Sequence, residues 1–227
     1  MGIFRSKSAA PHSGGAEKNR RLHVGCGTEV IPGWTNIDVQ DLPGVDIVLD
    51  VTQGLPFSDV DFVYCEHFIE HLRFDQGFRF LEACCEALSD GGVLRLSTPN
   101  LDWVYLTHYC AGSCDVPKRI SDTFILNRAF YGWGHQFLYS REVLVEVLDA
   151  VGFRNIVECE YGESTRPVLQ NLEKHERYGA TPDLPDVLIF EAEKTGNGKR
   201  KRTTRDTILR QAQDEFLHML DWKIENT

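Results

Sequence analysis

The chain has 227 residues, 42% hydrophobic and 26% charged, with a formal net charge of -10, enough for one sizeable core and short for two. No uncharged apolar run approaches the ~20 residues that a membrane-spanning helix needs, which excludes a membrane span and leads to the expectation of a soluble, cytoplasmic protein. Basic residues gather at both ends: residues 22–193 carry 11 Lys and Arg against 28 Asp and Glu, a net -17, and such a body repels phosphate backbones, so nucleic acid is not expected as a partner.

Residues 1–20 are rich in Ser, Gly, Ala and Lys without apolar periodicity, which describes a flexible N-terminal tail. Its start, Met1-Gly2-Ile3-Phe4-Arg5-Ser6, meets the loose myristoylation pattern at Gly2, beside the plainer reading of an ordinary tail. From residue 21 short β-rich runs alternate with helical stretches, the pattern of βαβ units around a mostly parallel sheet. Seven strands are predicted: Arg21 to Gly25, Thr35 to Val39, Val45 to Asp50, Asp61 to Cys65, Gly92 to Ser97, Arg154 to Glu160 and Val187 to Glu193. A helix is predicted over 75–88, where Phe78, Leu81, Cys84, Cys85 and Leu88 recur at helical spacing before Asp90-Gly91-Gly92. Another starts at Ser140 as N-cap and ends at Gly152. Residues 21–193 form the expected domain, an α/β fold with a mostly parallel seven-stranded sheet and helices on both faces.

Residues 99–139 hold Trp103, Tyr105, Tyr109, Phe124, Phe130, Tyr131, Trp133, Phe137 and Tyr139. Loops after parallel strands border the ligand crevice, so this segment reads either as a partly helical lid or as an aromatic side layer. Residues 194–227 comprise a basic linker, Lys199-Arg200-Lys201-Arg202 at its centre, and an amphipathic helix from about Asp206 to Lys223. Its stripe of Ile208, Leu209, Ala212, Phe216, Met219 and Leu220 needs a partner surface: the domain itself, a second copy in a homodimer, or another protein. Seven scattered cysteines are an odd number with no secretory signal ahead, so reduced thiols are expected. Cys110 and Cys114 lack a second paired-ligand cluster, and no metal site is expected.

The first strand runs directly into Gly25-Cys26-Gly27, where small residues let a ligand approach the backbone and leave amide hydrogens directed at it. Asp38 ends the second strand, where a carboxylate can accept both hydroxyls of a ribose; a surface aspartate is the alternative. Asp50 ends the third and is followed by Val51, a pair suited to an adenine amino group and ring nitrogen, or else a helix cap or turn residue. Three such features at successive strand ends describe an adenosine-shaped crevice.

Residues 22–100 resemble the core of the class I S-adenosylmethionine-dependent methyltransferases, particularly a group of small predicted methyltransferases. The residues that carry the resemblance are Val24-Gly25-Cys26-Gly27, Ile31-Pro32-Gly33-Trp34-Thr35-Asn36-Ile37-Asp38, Asp50 with Leu55-Pro56-Phe57, Glu66-His67-Phe68-Ile69-Glu70-His71-Leu72, and Asp90-Gly91-Gly92 with Pro99-Asn100. The resemblance implies a Rossmann-like doubly wound fold and S-adenosyl-L-methionine as cofactor. It places Gly25, Cys26 and Gly27 against the methionyl part, Asp38 on the ribose, Asp50 and Val51 on adenine, and Glu66 and His67 on the methyl-donor side. The third glycine common in the turn is replaced by Glu29, and Asp38 follows Gly27 by 11 residues, room for a stub of helix. A dinucleotide fingerprint wants a third glycine where Val30 stands and an acidic residue ~20 positions on, which disfavours an NAD-dependent oxidoreductase.

Methyl transfer from a sulfonium needs alignment of the acceptor and, for a hydroxyl or amine, removal of a proton. His67 and His135 are the candidate bases, while His71, one turn past His67, reads as packing or capping. His135 sits in a glycine- and aromatic-rich stretch and reads equally as a buried structural histidine. A small-molecule or sugar acceptor is preferred over a protein one, given the acidic body. A non-catalytic cofactor-binding interaction protein is the alternative function.

Overall fold

A computed structural model describes residues 20–112, 114–179, 183–196 and 202–220. The expected tail with Gly2, most of the basic run and the end of the last predicted helix lie outside the described residues. In chain order the elements are β1 (Arg21–Val24), β2 (Thr35–Asp38), β3 (Ile47–Val48), β4 (Val60–Glu66), α1 (Phe74–Ala87), β5 (Leu88–Pro99), α2 (Leu101–His108), α3 (Val116–Tyr131), α4 (Arg141–Val151), β6 (Phe153–Glu158), β7 (Val187–Lys194) and α5 (Arg202–Ala212). All seven strands join one sheet in the order β3-β2-β1-β4-β5-β7-β6. Every neighbouring pair is parallel except those made by β7, which runs antiparallel to β5 and β6. The expected α/β fold class is therefore the observed one.

The strand pattern decides which side chains meet which layer. Alternation along the strands sends Leu22, Val24, Ile37, Val63, Cys65, Leu94, Leu96, Leu188 and Phe190 into the main core, which they share with Phe78, Leu81 and Cys84 of α1 and Leu144, Val147 and Leu148 of α4. The intervening positions face the other way. There Trp34, Tyr64, Val93 and Leu169 form a second cluster, covered not by an α-helix but by the Ile31–Trp34 turn and a 3-10 turn at Pro167–Leu169. The α-helices α1, α4 and α5 thus gather on one face, while the β6–β7 connection lies across the other; helices were expected on both faces, but the short β1–β2 and β2–β3 links hold none.

Local signals set the helix ends. Gln76 Oε1 accepts the Arg73 amide (3.1 Å) at the start of α1, a capping interaction for a group with no helical partner. Ser140 Oγ accepts the Val143 amide at the start of α4, and Gly152 at φ 122° ends it, a backbone conformation that glycine alone adopts without cost. Residues 25–34 hold no helix, contrary to the expected stub. Asn36 organises this link instead: its Oδ1 accepts the Ile31 amide (2.8 Å), and its Nδ2 donates to the Ile31 and Trp34 carbonyls.

Residues 99–139 contain the α2–α3 pair, with Val104, Ala129 and Leu138 as a small cluster of their own, joined by Trp103 and Phe130. Tyr105, Phe124, Tyr131 and Trp133 of the same segment are exposed. The C-terminal stripe finds its partner in the domain itself, because Ile208, Leu209, Ala212, Phe216 and Leu220 pack on the main core. Met219, expected in that stripe, is exposed. A π-helical turn at Gln213–Leu217 inserts an extra residue, which rotates the following side chains out of the 3.6-residue phase and buries Leu217 instead.

Candidate active site

In a sheet of this order the two strand progressions diverge between β1 and β4, and ligands seat outside the carboxyl ends of the strands at that switch point. The sequence candidates sit there: Gly25 to Gly27 after β1, Asp38 at the end of β2, Asp50 and Val51 after β3, and Glu66 and His67 at the end of β4. The local geometry of the turn differs from expectation. Gly25 and Cys26 donate their amides to the Ile37 carbonyl (2.9 and 3.1 Å), and Gly27 donates to Asp38 Oδ2 (2.9 Å). The amides therefore bind β2 rather than point into the crevice, because the ten-residue β1–β2 link holds the turn against the neighbouring strand.

The two glycines serve different ends. Gly25 has φ +67°, and a Cβ there would stand 2.3 Å from Phe68 Cδ2, so the glycine admits the Phe68 ring. Gly27 has φ +50°, and a Cβ would meet nothing within 4 Å, which leaves open space over the turn. Cys26 is buried, and burial pushes its thiol up to about 11. Asp38 also accepts the Gln40 amide through Oδ1 (2.9 Å), so each carboxylate oxygen holds one backbone donor and retains a second lone pair. Asp50 caps the 3-10 turn Val51–Gln53, accepting the Thr52 amide and hydroxyl through Oδ1. Val51 is the first residue of that turn, a position whose amide no preceding turn carbonyl reaches.

Glu66, expected to line the crevice, is engaged through both carboxylate oxygens. Its Oε1 accepts the Lys174 and His175 amides (2.8 and 2.9 Å) and His175 Nδ1, while Oε2 accepts the Tyr64 hydroxyl (3.0 Å). Burial opposes ionisation of this carboxyl, but the donors from His175 and Lys174 override it and hold it at about 2. One carboxylate thus pins the β6–β7 connection to the end of β4. A second buried network anchors the same connection: Arg95, fully buried in β5, donates to Glu173 (2.7 Å), Glu191 (2.8 Å) and the Glu163 carbonyl.

His67 has φ +45°, a conformation uncommon for a residue with a side chain. Its Nδ1 donates to Glu70 Oε1 (2.9 Å), and Nε2 is buried with no hydrogen-bond partner. Burial lowers the basicity of this imidazole, and Glu70, with Glu66 and Asp186, more than offsets it, so the net direction is upward. The His175 ring stands edge-on to that of His67 at 4.6 Å, and its Nε2 is likewise buried without a partner. His175 lines a cavity of about 210 Å³ with Tyr161, Arg177, Asp186, Arg141 and Glu158, at the carboxyl edge of β6 and the start of β7. His135 is not part of this ring pair: it stands beside His71 at a ring separation of 5.1 Å, with Nδ1 donating to the Ala129 carbonyl (2.8 Å). Sequence reasoning missed Glu70 and His175 as partners of the site; His175 sits in a polar stretch without periodicity and reaches Glu66 across 109 positions.

A family model described as a methyltransferase domain matches residues 7–158. No curated protein matches the chain. Among solved structures it is similar to a SAM-dependent methyltransferase from Archaeoglobus fulgidus, at 18% identity and TM-score 0.48, covering 78% of this chain and 87% of that one. It is also similar to an S-adenosylmethionine-dependent methyltransferase from Mesorhizobium loti, at 17% identity and TM-score 0.45, covering 77% and 90%. The CurJ carbon methyltransferase is matched at 15% identity and TM-score 0.48, over 80% of this chain and 50% of that one. With the family match spanning β1 to β6 and the crevice at their carboxyl ends, the chain belongs to the class I S-adenosylmethionine-dependent methyltransferases.

Proposed function

We propose that the chain transfers the methyl group of S-adenosyl-L-methionine to a hydroxyl or amine of a small polar acceptor, a sugar or other small molecule. The residues present fit the cofactor. The open space over Gly27 suits the methionyl part, the spare lone pairs of Asp38 suit two ribose hydroxyls, and Asp50 with Val51 at the next strand end suits adenine. When bound, S-adenosylmethionine supplies an electrophilic methyl group on a sulfonium leaving group.

The observation that carries the acceptor reading is the cavity whose wall includes His175, in ring contact with His67. At about 210 Å³ it is smaller than a typical drug-sized pocket and suits a small polar molecule better than a protein segment. Glu70 holds the proton of His67 on Nδ1 and leaves Nε2 to take the acceptor proton, the arrangement of an oriented general base. His135 is assigned no proton transfer. None of the described helices is long and apolar enough to cross a membrane.

A non-catalytic, cofactor-binding role is the second reading, favoured by the exposed Tyr105, Phe124, Tyr131 and Trp133 of the α2–α3 segment. Labelled S-adenosylmethionine incubated with protein and a small-metabolite extract separates the two. Formation of S-adenosylhomocysteine with a labelled small molecule supports transfer. Cofactor binding without turnover on any extract favours the second reading. His67→Ala is expected to lower turnover more than cofactor affinity, and equal losses in both argue against a base.

A further inference from the structure

Glu70 is completely buried, yet its neighbours are an imidazole and a hydroxyl: Oε1 accepts His67 Nδ1 and Oε2 accepts Thr98 Oγ1 (3.1 Å). Burying a carboxylate is costly unless a positive charge compensates it, and of these two neighbours only the His67 imidazole can carry one. Two further potential ligands stand beside it. The segment 135–137 is stitched along residues 70 and 71, with the Gln136 and Phe137 amides donating to the Glu70 carbonyl (2.8 and 3.2 Å) and Gln136 Nε2 to the His71 carbonyl (2.6 Å). The kinked turn Gly132–Gly134, with Trp133 at φ +55°, delivers His135 to this position. As a result one ligand atom each from Glu70, His71 and His135 lie within 4.8 Å of one another.

We infer that Glu70, His71 and His135 form a binding site for one divalent transition-metal ion of the zinc class. Two imidazoles and a carboxylate suit such an ion better than magnesium or calcium, which prefer all-oxygen shells. Donors ~2.0–2.2 Å from a tetrahedral ion lie roughly 3.3 Å apart, so the three groups need shifts of about 1 Å or less to close on it. His135 is already oriented as metal-bound histidines are, with Nδ1–H on a backbone carbonyl and Nε2 left as the donor. Glu70 likewise has its outer hydrogen bonds in place. His71 and His135 are only partly buried, which leaves a coordination position open to water or ligand. The sequence suggested no metal here because adjacent Glu70 and His71 do not make a spacing motif, and their third partner is 64 positions away. This assignment does not depend on the methyl acceptor.

Untagged full-length protein, stripped with chelator and titrated with Co²⁺ and Zn²⁺, tests it. The expected result is one Co²⁺ per chain with the visible d–d absorption of a low-coordinate nitrogen and oxygen site, displaced by Zn²⁺. His71→Ala and His135→Ala should each weaken binding at least tenfold; His135→Gln serves if the alanine chain does not fold, and Cys110→Ser/Cys114→Ser should change nothing. Absence of stoichiometric binding by the parent chain overturns the assignment. So do binding unaltered in the histidine variants and a sulfur-to-cobalt charge-transfer band that vanishes in the cysteine variant.

Discussion

The two glycines of the first turn make the sharpest test of how the crevice is built, because alanine at each has a different meaning. Both have positive φ, and an alanine held in the left-handed region costs roughly 1–2 kcal/mol. At Gly25 the new methyl also lands 2.3 Å from Phe68 Cδ2 and 2.8 Å from Cγ. The ring is confined, since it also packs edge-on against buried Phe80 at 5.1 Å. Overpacking of this kind adds about 1–3 kcal/mol, so Gly25→Ala should lose about 2–5 kcal/mol of stability and Gly27→Ala about 1–2. Cofactor affinity should rank the other way relative to stability. The Gly27 methyl enters the open space assigned to the cofactor, and a tenfold weakening, about 1.4 kcal/mol, is expected with only the smaller loss of stability. Urea unfolding of the two variants and calorimetric titration with S-adenosylmethionine measure both quantities. Phe68→Ala in the Gly25→Ala background should recover part of the loss, with a coupling of about 0.5–3 kcal/mol. Equal stability of the two glycine variants, or no coupling with Phe68, would refute the packing argument.

Two other substitutions test how the β6–β7 connection is anchored to the sheet. Glu66 is held at about 2, below the ordinary 4.5, so its stabilisation is complete above pH 4.5 and is lost as pH falls towards 2. Glu66→Gln should therefore be less stable than the parent by about 1–2 kcal/mol at pH 7, hydrogen bonds to a charged group being worth ~1.5–3 kcal/mol before solvent screening. The gap in urea midpoint should narrow by pH 3; a gap independent of pH contradicts the assignment. Glu173→Gln removes one of the two carboxylates that compensate the buried Arg95. Breaking a buried pair costs ~3–5 kcal/mol, and with Glu191 still in place about 3 kcal/mol is expected, whereas Arg141→Ala at the exposed pair with Glu158 should cost about 1 kcal/mol or less. Comparable losses at the two sites would show that Arg95 is not a buried charge.

Elements with strong local signals were legible in the sequence. Alternation in β1 and β2, the apolar spacing of α1, and the Ser140 and Gly152 boundaries of α4 all depend on residues within one element, and the structure has them within a residue or two. β5 begins four residues earlier than predicted, at Leu88, because Leu88 pairs with Val60 ahead of Gly91 and Gly92, a contact that composition does not announce. Asp38, Asp50 and the Glu66-His67 pair were legible as residues at strand ends. What each carboxylate binds was not, since the donors to Glu66 and Asp38 depend on how distant chain segments are folded against them. The same reason hid Glu70: within the sequence it is one acidic residue in a short turn, and only burial beneath His67 and Thr98 gives it a role.

Titration of S-adenosylmethionine into the parent chain and into Asp38→Asn tests the central claim most directly. Asparagine keeps an acceptor for the Gly27 amide, leaves the exposed Gln40 amide to water, and removes the charge proposed to face the ribose. The account predicts one cofactor bound per chain, a loss of about 1–3 kcal/mol of affinity in the variant, roughly 5- to 150-fold, and little change in unfolding midpoint. No binding by the parent chain, or equal affinity in Asp38→Asn, would contradict it.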